Sequence, residues 1–110
     1  MEYDCIVIGR GPAGIQAAIY AVRAGLSVGV VGRDAGALAK TELIENYFGF
    51  ENPISGVALM KAGQAQAARL GVTFYEEEVT SAGWGNAGLY VRFAETTLDA
   101  KTVIVATGMP

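Results

Sequence analysis

The residues with the clearest chemical potential are three glycines near the start of the chain, Gly9, Gly11 and Gly14, spaced as G-x-G-x-x-G. Between a strand and a helix, this spacing is typical of a site for the pyrophosphate of a dinucleotide. The first glycine permits a tight turn, the second lets backbone approach the phosphates, and the third lets the helix pack close to the strand. The helix N-terminus adds free N–H groups and the positive end of its dipole. The alternative is a glycine-rich turn that binds no ligand.

The flanking residues predict the strand and the helix that the motif requires. Residues 3–8 are an apolar run typical of a buried strand, and residues 12–24 have the composition of a helix. Pro12 and Ala13 stand in its first turn, where the missing N–H of proline costs little. Residues 26–31 form a second apolar strand, so this part of the chain predicts a right-handed β-α-β unit.

The sequence beyond this unit predicts a sheet with both parallel and antiparallel strands. Ser55 is a suitable N-cap for a second helix over residues 56–70, and residues 72–75 are a short third strand. Glycine-rich turns and period-two alternation over residues 78–100 predict antiparallel strands. The predicted fold class is therefore α/β, a Rossmann-like β-α-β domain whose parallel sheet carries a small antiparallel β-meander.

A last apolar run, near the end of the chain, resembles the one at its start. Residues 102–106 are another buried strand that ends in a glycine turn, as residues 3–8 do. We expect the two strands to be adjacent and parallel, with Gly9 and Gly108 close together at their carboxyl ends. Ligands of open α/β sheets bind at such carboxyl ends, so both turns are expected to face one ligand.

Composition excludes several classes of protein. The chain has 110 residues, a formal net charge of −3 and no basic cluster, which argues against nucleic acid and anionic membranes as partners. It shows neither a secretory leader nor an apolar run long enough to span a bilayer, so a cytoplasmic location is expected. Cys5 is its single cysteine, in a predicted strand, which excludes an internal disulfide and a Cys-x-x-Cys pair. Histidine is absent, so no metal site is expected.

Four motifs in order make nearly the whole chain resemble the flavin domain of thioredoxin reductase-like flavoproteins, within the pyridine nucleotide–disulfide oxidoreductase group. They are the glycine turn (residues 9–14, Gly-Arg-Gly-Pro-Ala-Gly), residues 44–50 (Ile-Glu-Asn-Tyr-Phe-Gly-Phe), residues 54–56 (Ile-Ser-Gly) and residues 106–108 (Ala-Thr-Gly). The resemblance implies that FAD, not NAD, occupies the glycine turn.

The resemblance also implies further contacts with the cofactor. It places Asn46 along the flavin, backbone at Val79 against the adenine, and Ala106, Thr107 and Gly108 over the cofactor. An asparagine side chain both donates and accepts hydrogen bonds, which suits a flavin or ribityl edge, although Asn46 also suits a simple turn. The aromatic side chains near it either flank the isoalloxazine or belong to the core: Tyr47, Phe48 and Phe50.

The chain departs from the family pattern in three places. The second strand of this fold often ends in an acid that binds a ribose hydroxyl; here Gly32 stands there, followed by Arg33 and Asp34, and backbone or Asp34 is the expected substitute. Residues 35–38 replace the family's Gly-Gly-Gln stretch in a shortened loop. The chain also ends at Pro110, without the family's NAD(P)H domain and returning segment, so residues 1–110 are interpreted as an incomplete FAD-binding domain.

Three functions are compatible with these features. The first is the FAD-binding module of a flavin-dependent NAD(P)H oxidoreductase, with no catalytic acid, base or nucleophile assigned within this chain. The second is a small NADP-binding module, because Gly32 with Arg33 resembles the change that admits a 2′-phosphate. The third is a non-catalytic flavoprotein fragment that forms a homodimer or is completed by a second polypeptide.

Overall fold

The computed structural model describes residues 1–33 and 40–107. Within them, strands and helices follow one another in the order predicted. The elements are β1 (Glu2–Ile8), α1 (Pro12–Arg23), β2 (Val28–Val31), α2 (Gly56–Arg69), β3 (Thr73–Tyr75), β4 (Val79–Gly85), β5 (Gly88–Phe93) and β6 (Thr96–Val105). The α/β class with a parallel sheet and an antiparallel extension is thus confirmed.

The helix ends follow from local sequence. The Ser55 hydroxyl accepts a hydrogen bond from the backbone N–H of Ala58 at 3.0 Å, so it caps α2 as predicted. Gly25 and Gly71, just beyond the two helices, have φ of +90° and +108°, a conformation that favours glycine. The second strand begins at Val28 rather than at position 26, since Ser27 instead exchanges hydrogen bonds with Asp4.

All six strands form one sheet in the order β3-β2-β1-β6-β5-β4. The first four strands in this order are parallel, and β5 and β4 extend the sheet as antiparallel strands. The pairing of Ile8 with Val105 confirms that β1 and the last strand are adjacent and parallel. The position of Gly108, part of the same prediction, lies outside the described residues.

The prediction of a separate strand over residues 102–106 is wrong in one respect. β6 is a single ten-residue strand whose first half pairs with β5 and whose second half pairs with β1. No glycine, proline or asparagine interrupts residues 96–105, so nothing ends the meander strand before it enters the parallel sheet. The meander and the parallel sheet are therefore rigidly joined through β6.

The sheet curls so that its antiparallel end covers one face of its parallel end. The rings of Tyr75 in β3 and Phe93 in β5 lie 5.2 Å apart between centroids, although three strands separate β3 from β5. One core lies under the helices: Cys5, Val7, Ile15, Ala18, Val28, Val30, Met60, Ala67 and Val72. The other lies between meander and sheet: Tyr3, Ile6, Val31, Val91, Phe93, Leu98 and Ala100.

Cys5 is buried, as predicted. Among the described helices, neither is long and apolar enough to cross a membrane.

Candidate dinucleotide site

The carboxyl ends of three strands meet at Gly9. Its φ is +118°, and a Cβ on it would lie 2.1 Å from the carbonyl oxygen of Ala106 and 3.1 Å from the nitrogen of Thr107. The Gly9 N–H donates to the Val31 carbonyl at 2.8 Å, and the Ala106 N–H donates to the Ile8 carbonyl at 2.8 Å. Only glycine fits here, because both its backbone conformation and its distance to β6 exclude a side chain.

Gly14 brings α1 against β1. A Cβ at this position would lie 2.1 Å from the Gly9 carbonyl oxygen and 3.3 Å from Cγ1 of Val7. The first turn of the helix therefore sits directly on the backbone of the glycine turn. The role predicted for the third glycine of the motif, close packing of helix on strand, is confirmed by this contact.

The N-terminus of α1 is left open. Gly11 is the N-cap residue, with φ −83° and ψ −172°, and its carbonyl accepts from the Ile15 N–H at 3.0 Å. Pro12 begins the helix, Ala13 follows on the exposed side, and the first turn contains no acidic residue. Since Gly11 has no side chain to cap the helix, the first-turn N–H groups and the positive dipole end remain for an anion.

Arg10, the residue between the first two glycines, closes the side of the turn next to β2. A Cβ on Gly32 would lie 2.7 Å from Cβ and 2.8 Å from the backbone nitrogen of Arg10. The Arg10 guanidinium donates to the carbonyls of Gly32 (3.0 Å) and Arg33 (2.9 Å), to Oε1 of Gln64 (3.0 Å) and to Oε1 of Glu76 (3.4 Å). Sequence reasoning treated Arg10 only as a spacer. Two features of the sequence could have indicated its contacts with the end of β2: an arginine inside the glycine motif, and the absence of an acid at position 32.

Arg33 is exposed and has its own acidic partner. Its Nη1 lies 3.3 Å from Oε2 of Glu78, and three quarters of the Arg33 side chain is open to solvent. The two arginines next to the end of β2 are thus each faced by a glutamate from the segment after β3. Asp34 and residues 35–38, which were also considered for this end of the site, lie outside the described residues.

The loop that carries Asn46 is fixed at its base, and it borders the first turn of α1 at a pocket that it shares with Pro12. Ile44 and Ile54 pair across it through backbone hydrogen bonds of 2.7 and 3.1 Å. Asn46 is exposed, and within the described residues no hydrogen bond joins its side chain to residues 9–14. Its expected position along a flavin therefore stays a prediction.

The aromatic residues of this loop divide into two groups. The Tyr47 and Phe50 rings meet edge to face with centroids 5.9 Å apart and, with Pro12, Ile19 and others, line an apolar pocket between α1 and α2. Phe48 is 98% exposed, so it does not belong to the core. Of the two interpretations of these aromatics, burial in the main core is contradicted for Phe48, since neither core cluster includes it.

Val79 begins β4, on the meander side of the sheet. It pairs with Phe93 and packs against the core between meander and sheet. Ala106 is half-buried and Thr107 exposed beside Gly9, whereas Gly108 lies outside the described residues. The structure therefore unites at one sheet edge most of the predicted site: Gly9, Gly11, Pro12, Ala13, Gly14, Gly32, Arg33, Ala106 and Thr107.

Comparison with known proteins finds the same architecture in one family. The family model of the pyridine nucleotide-disulphide oxidoreductases matches residues 3–110. The thioredoxin reductase of Aquifex aeolicus is 40% identical over 109 residues, covering 96% of this chain and 34% of its own length. That of Ureaplasma parvum is 38% identical over 108 residues, covering 96% of this chain and 35% of its own.

Solved structures agree with the sequence matches. A thioredoxin reductase from Gloeobacter violaceus superimposes with a TM-score of 0.91 at 29% identity, over 97% of this chain and 37% of that one. The thioredoxin reductase of T. acidophilum gives 0.87 at 35% identity, over 97% and 36%. The chain thus spans about a third of the length of the relatives that it matches.

Proposed function

The chain belongs to the pyridine nucleotide-disulphide oxidoreductase family, and on that premise we propose that it is the FAD-binding part of a thioredoxin reductase-like, flavin-dependent NAD(P)H oxidoreductase. The observation that carries the proposal is the contact of Gly9 with Ala106 at the carboxyl ends of β1 and β6. It brings the glycine turn together with residues 106–107 at one edge of the sheet, at the place where open α/β sheets bind ligands.

The residues of this edge fit a dinucleotide pyrophosphate. Gly11 leaves the N-terminus of α1 uncapped, no acid stands in the first helical turn, and Gly14 seats the helix directly on Gly9. A phosphate placed there meets backbone N–H donors, the positive dipole end and no competing side chain. Pro12 and Ala13 complete this first turn without adding a negative charge.

The proposal gives each remaining candidate residue a part in holding FAD. Gly32, with Arg33 next to it, borders the adenosine ribose, backbone at Val79 meets the adenine, and Asn46 hydrogen-bonds the flavin or ribityl edge. Ala106, Thr107 and Gly108 close over the cofactor from β6. When bound, FAD supplies the capacity to accept a hydride from a reduced nicotinamide, and the protein supplies binding and orientation.

The whole-protein activity belongs to the proposal as well. In the curated relatives, about two thirds of the chain lies beyond the region matched here. We assign NAD(P)H binding and the transfer of electrons to an acceptor to those other parts, and a cytoplasmic location to the protein. Cys5 takes no part in the chemistry, because it is buried inside β1.

The second candidate function is an NADP module, favoured by the absence of a carboxylate at Gly32 and by the neighbouring Arg33. The charge arrangement opposes it. Arg33 already faces Glu78, Arg10 faces Glu76, and Glu77 lies between these two acids. A 2′-phosphate brought to this corner would meet the carboxylates of Glu76 and Glu78, so FAD is the better match.

The test is flavin retention by the purified protein. We expect it to keep a yellow, flavin-type absorbance after FAD is added and free FAD removed, and Gly11→Val to lose the flavin because a branched side chain would stand where phosphate must approach. The control is Gly83→Val, whose Cβ meets Oη of Tyr90 at an ordinary 3.5 Å on the edge strand β4. Circular dichroism establishes that both variants fold.

Two results would contradict the proposal. If Gly11→Val retains as much FAD as the parent and Gly83→Val do, the cofactor does not bind at the glycine turn. If the parent binds NADP tightly and no FAD, the second candidate function is correct.

A further inference from the structure

Arg10 joins four parts of the molecule at the end of β2. Its Nε donates to the carbonyl of Gly32 at 3.0 Å, its Nη1 to Gln64 of α2 at 3.0 Å, and its Nη2 to the carbonyl of Arg33 at 2.9 Å. A longer contact of 3.4 Å leads to Glu76, after β3. Only 12% of the Arg10 side chain is exposed, so this guanidinium is held as part of the framework of the site.

The neutral contacts of Arg10, more than its ion pair, determine its role. Glu76 is 78% exposed, and exposed ion pairs contribute little because water screens them. The three shorter hydrogen bonds go to neutral acceptors, and two of these are successive backbone carbonyls at the end of β2. The guanidinium therefore fixes the distance between the glycine turn, which carries Arg10, and the end of β2, which carries Gly32.

The backbone and Cβ of Arg10 leave no room for a side chain at position 32. A side chain at position 32 would begin 2.7 Å from Cβ and 2.8 Å from the nitrogen of Arg10, closer than unbonded atoms approach. In dinucleotide-binding folds a carboxylate from this strand end binds the ribose hydroxyls. The chain has no carboxylate at this position. Instead, Arg10 lies beside it and donates hydrogen bonds to the backbone of the same strand end.

We propose that Arg10 is a positioning residue for the adenosine half of the cofactor, in place of the acid that the end of β2 lacks. The inference rests on the proposed function, since it requires a dinucleotide in the glycine turn. Arg10 acts through Gly32 and Arg33, whose backbone it holds at the edge where the ribose lies. Arginine suits this task because its planar fork reaches several acceptors in fixed directions, which the single ammonium of lysine does not.

The experiment compares two flavins that differ only in the adenosine half. FAD and FMN affinities are measured by titration for the parent, Arg10→Ala and Arg10→Lys, with Arg23→Ala as control. Arg23 is an exposed arginine in the last turn of α1, at the opposite end of that helix from the glycine turn. FMN shares the flavin and the first phosphate and lacks the second phosphate and the adenosine, so its affinity reports on the flavin half of the site.

We expect Arg10→Ala to weaken FAD binding about tenfold, at the lower end of what a lost hydrogen bond to a charged group costs, because the backbone of Gly32 and Arg33 is no longer held in place. FMN binding should stay within about twofold. Arg10→Lys should resemble Arg10→Ala, and Arg23→Ala should resemble the parent. Thermal unfolding of the flavin-free protein shows whether Arg10→Ala folds. If it does not, Gln64→Leu removes one hydrogen bond of the Arg10 guanidinium and should also lower the ratio of FAD to FMN affinity.

Other outcomes overturn the inference. Equal losses for FAD and FMN would mean that Arg10 supports the whole turn and not its adenosine end. Unchanged affinities for both flavins in Arg10→Ala, or affinities like those of the parent in Arg10→Lys, would show that the guanidinium has no role in positioning the adenosine half. A parent that binds neither flavin would overturn the proposed function, and the inference with it.

Discussion

The contact between Gly14 and Gly9 makes a prediction in which one substitution has opposite effects in two helices. Gly14→Ala in α1 places a Cβ 2.1 Å from the Gly9 carbonyl oxygen, more than 1 Å inside the 3.4 Å at which ordinary contact begins. Gly63→Ala in α2 places a Cβ 3.8 Å from Cγ2 of Ile15, which is ordinary contact. Both changes gain the same helix propensity, so the difference between them isolates the cost of the clash.

The magnitude follows from what can move. The Gly9 carbonyl belongs to backbone that is held between β2 and β6 by a hydrogen bond to Val31 and by contact with Ala106. Overpacking of this kind costs about 1–3 kcal/mol, whereas glycine to alanine in a helix gains about 0.5–1 kcal/mol. We expect Gly14→Ala to destabilise the fold by about 1–2 kcal/mol and Gly63→Ala to stabilise it by about 0.5–1 kcal/mol.

The assay is urea unfolding of the flavin-free protein with thermal unfolding alongside it. For a chain of this size the two variants should differ from the parent in Tm by several degrees, in opposite directions. The slope of free energy against urea should not change, because neither substitution alters the surface exposed on unfolding. Equal stability of Gly14→Ala and the parent would refute the reasoning, since it would mean that α1 can shift away from β1 without cost.

Three further predictions concern groups outside the glycine turn. Burial, with a 2.6 Å hydrogen bond to Tyr3, raises the pKa of Tyr75 to about 12. The stability that the protonated hydroxyl contributes is complete below pH 10.0 and is lost as pH rises towards 12. Tyr75→Phe should therefore remove one late step from the phenolate absorbance titration and make the loss of stability at alkaline pH less steep. The backbone N–H of Ser27 lowers the pKa of Asp4 below 3.8, so the stability that the Asp4 carboxylate contributes is present above that pH and lost as pH falls. The urea midpoints of unfolding at about pH 6 and about pH 3 should therefore differ less for Asp4→Asn than for the parent. Cys5→Ala should leave flavin binding unchanged, and neither protein should oxidise NADPH with a disulfide acceptor at about 1 per second or faster.

The local features of the fold were predictable because each has a local cause. Apolar runs predicted β1, β2 and β3 within two residues of their observed ends, and Ser55 marked the start of α2. The adjacency of β1 and β6 was predicted as well, from two apolar runs that both end in glycine turns. Such signals depend on residues that are neighbours in sequence, so an amino-acid pattern records them.

The features that sequence reasoning missed depend on residues far apart in the chain. Arg10 meets Gln64 across 54 positions, and Tyr75 meets Phe93 only because the sheet curls. The continuity of β6 was missed since its apolar second half resembled an independent strand. Asn46 and Val79 were candidates through the family resemblance; the structure places Asn46 on an exposed loop and Val79 at the start of β4, and their roles stay predictions.

Tertiary contacts require the glycines of the G-x-G-x-x-G motif, although the motif can be recognised from the local sequence alone. Gly9 is glycine because β6 passes beside it at Ala106, and Gly14 because α1 rests on Gly9. Gly32, outside the motif, is free of a side chain because Arg10 adjoins it. The position of β6 in turn depends on the meander, whose Leu98 is buried between the two halves of the curled sheet. The shape of the phosphate turn therefore depends on packing at the meander face as much as on its own six residues, and a mutation that loosens that face is expected to widen the turn without touching it.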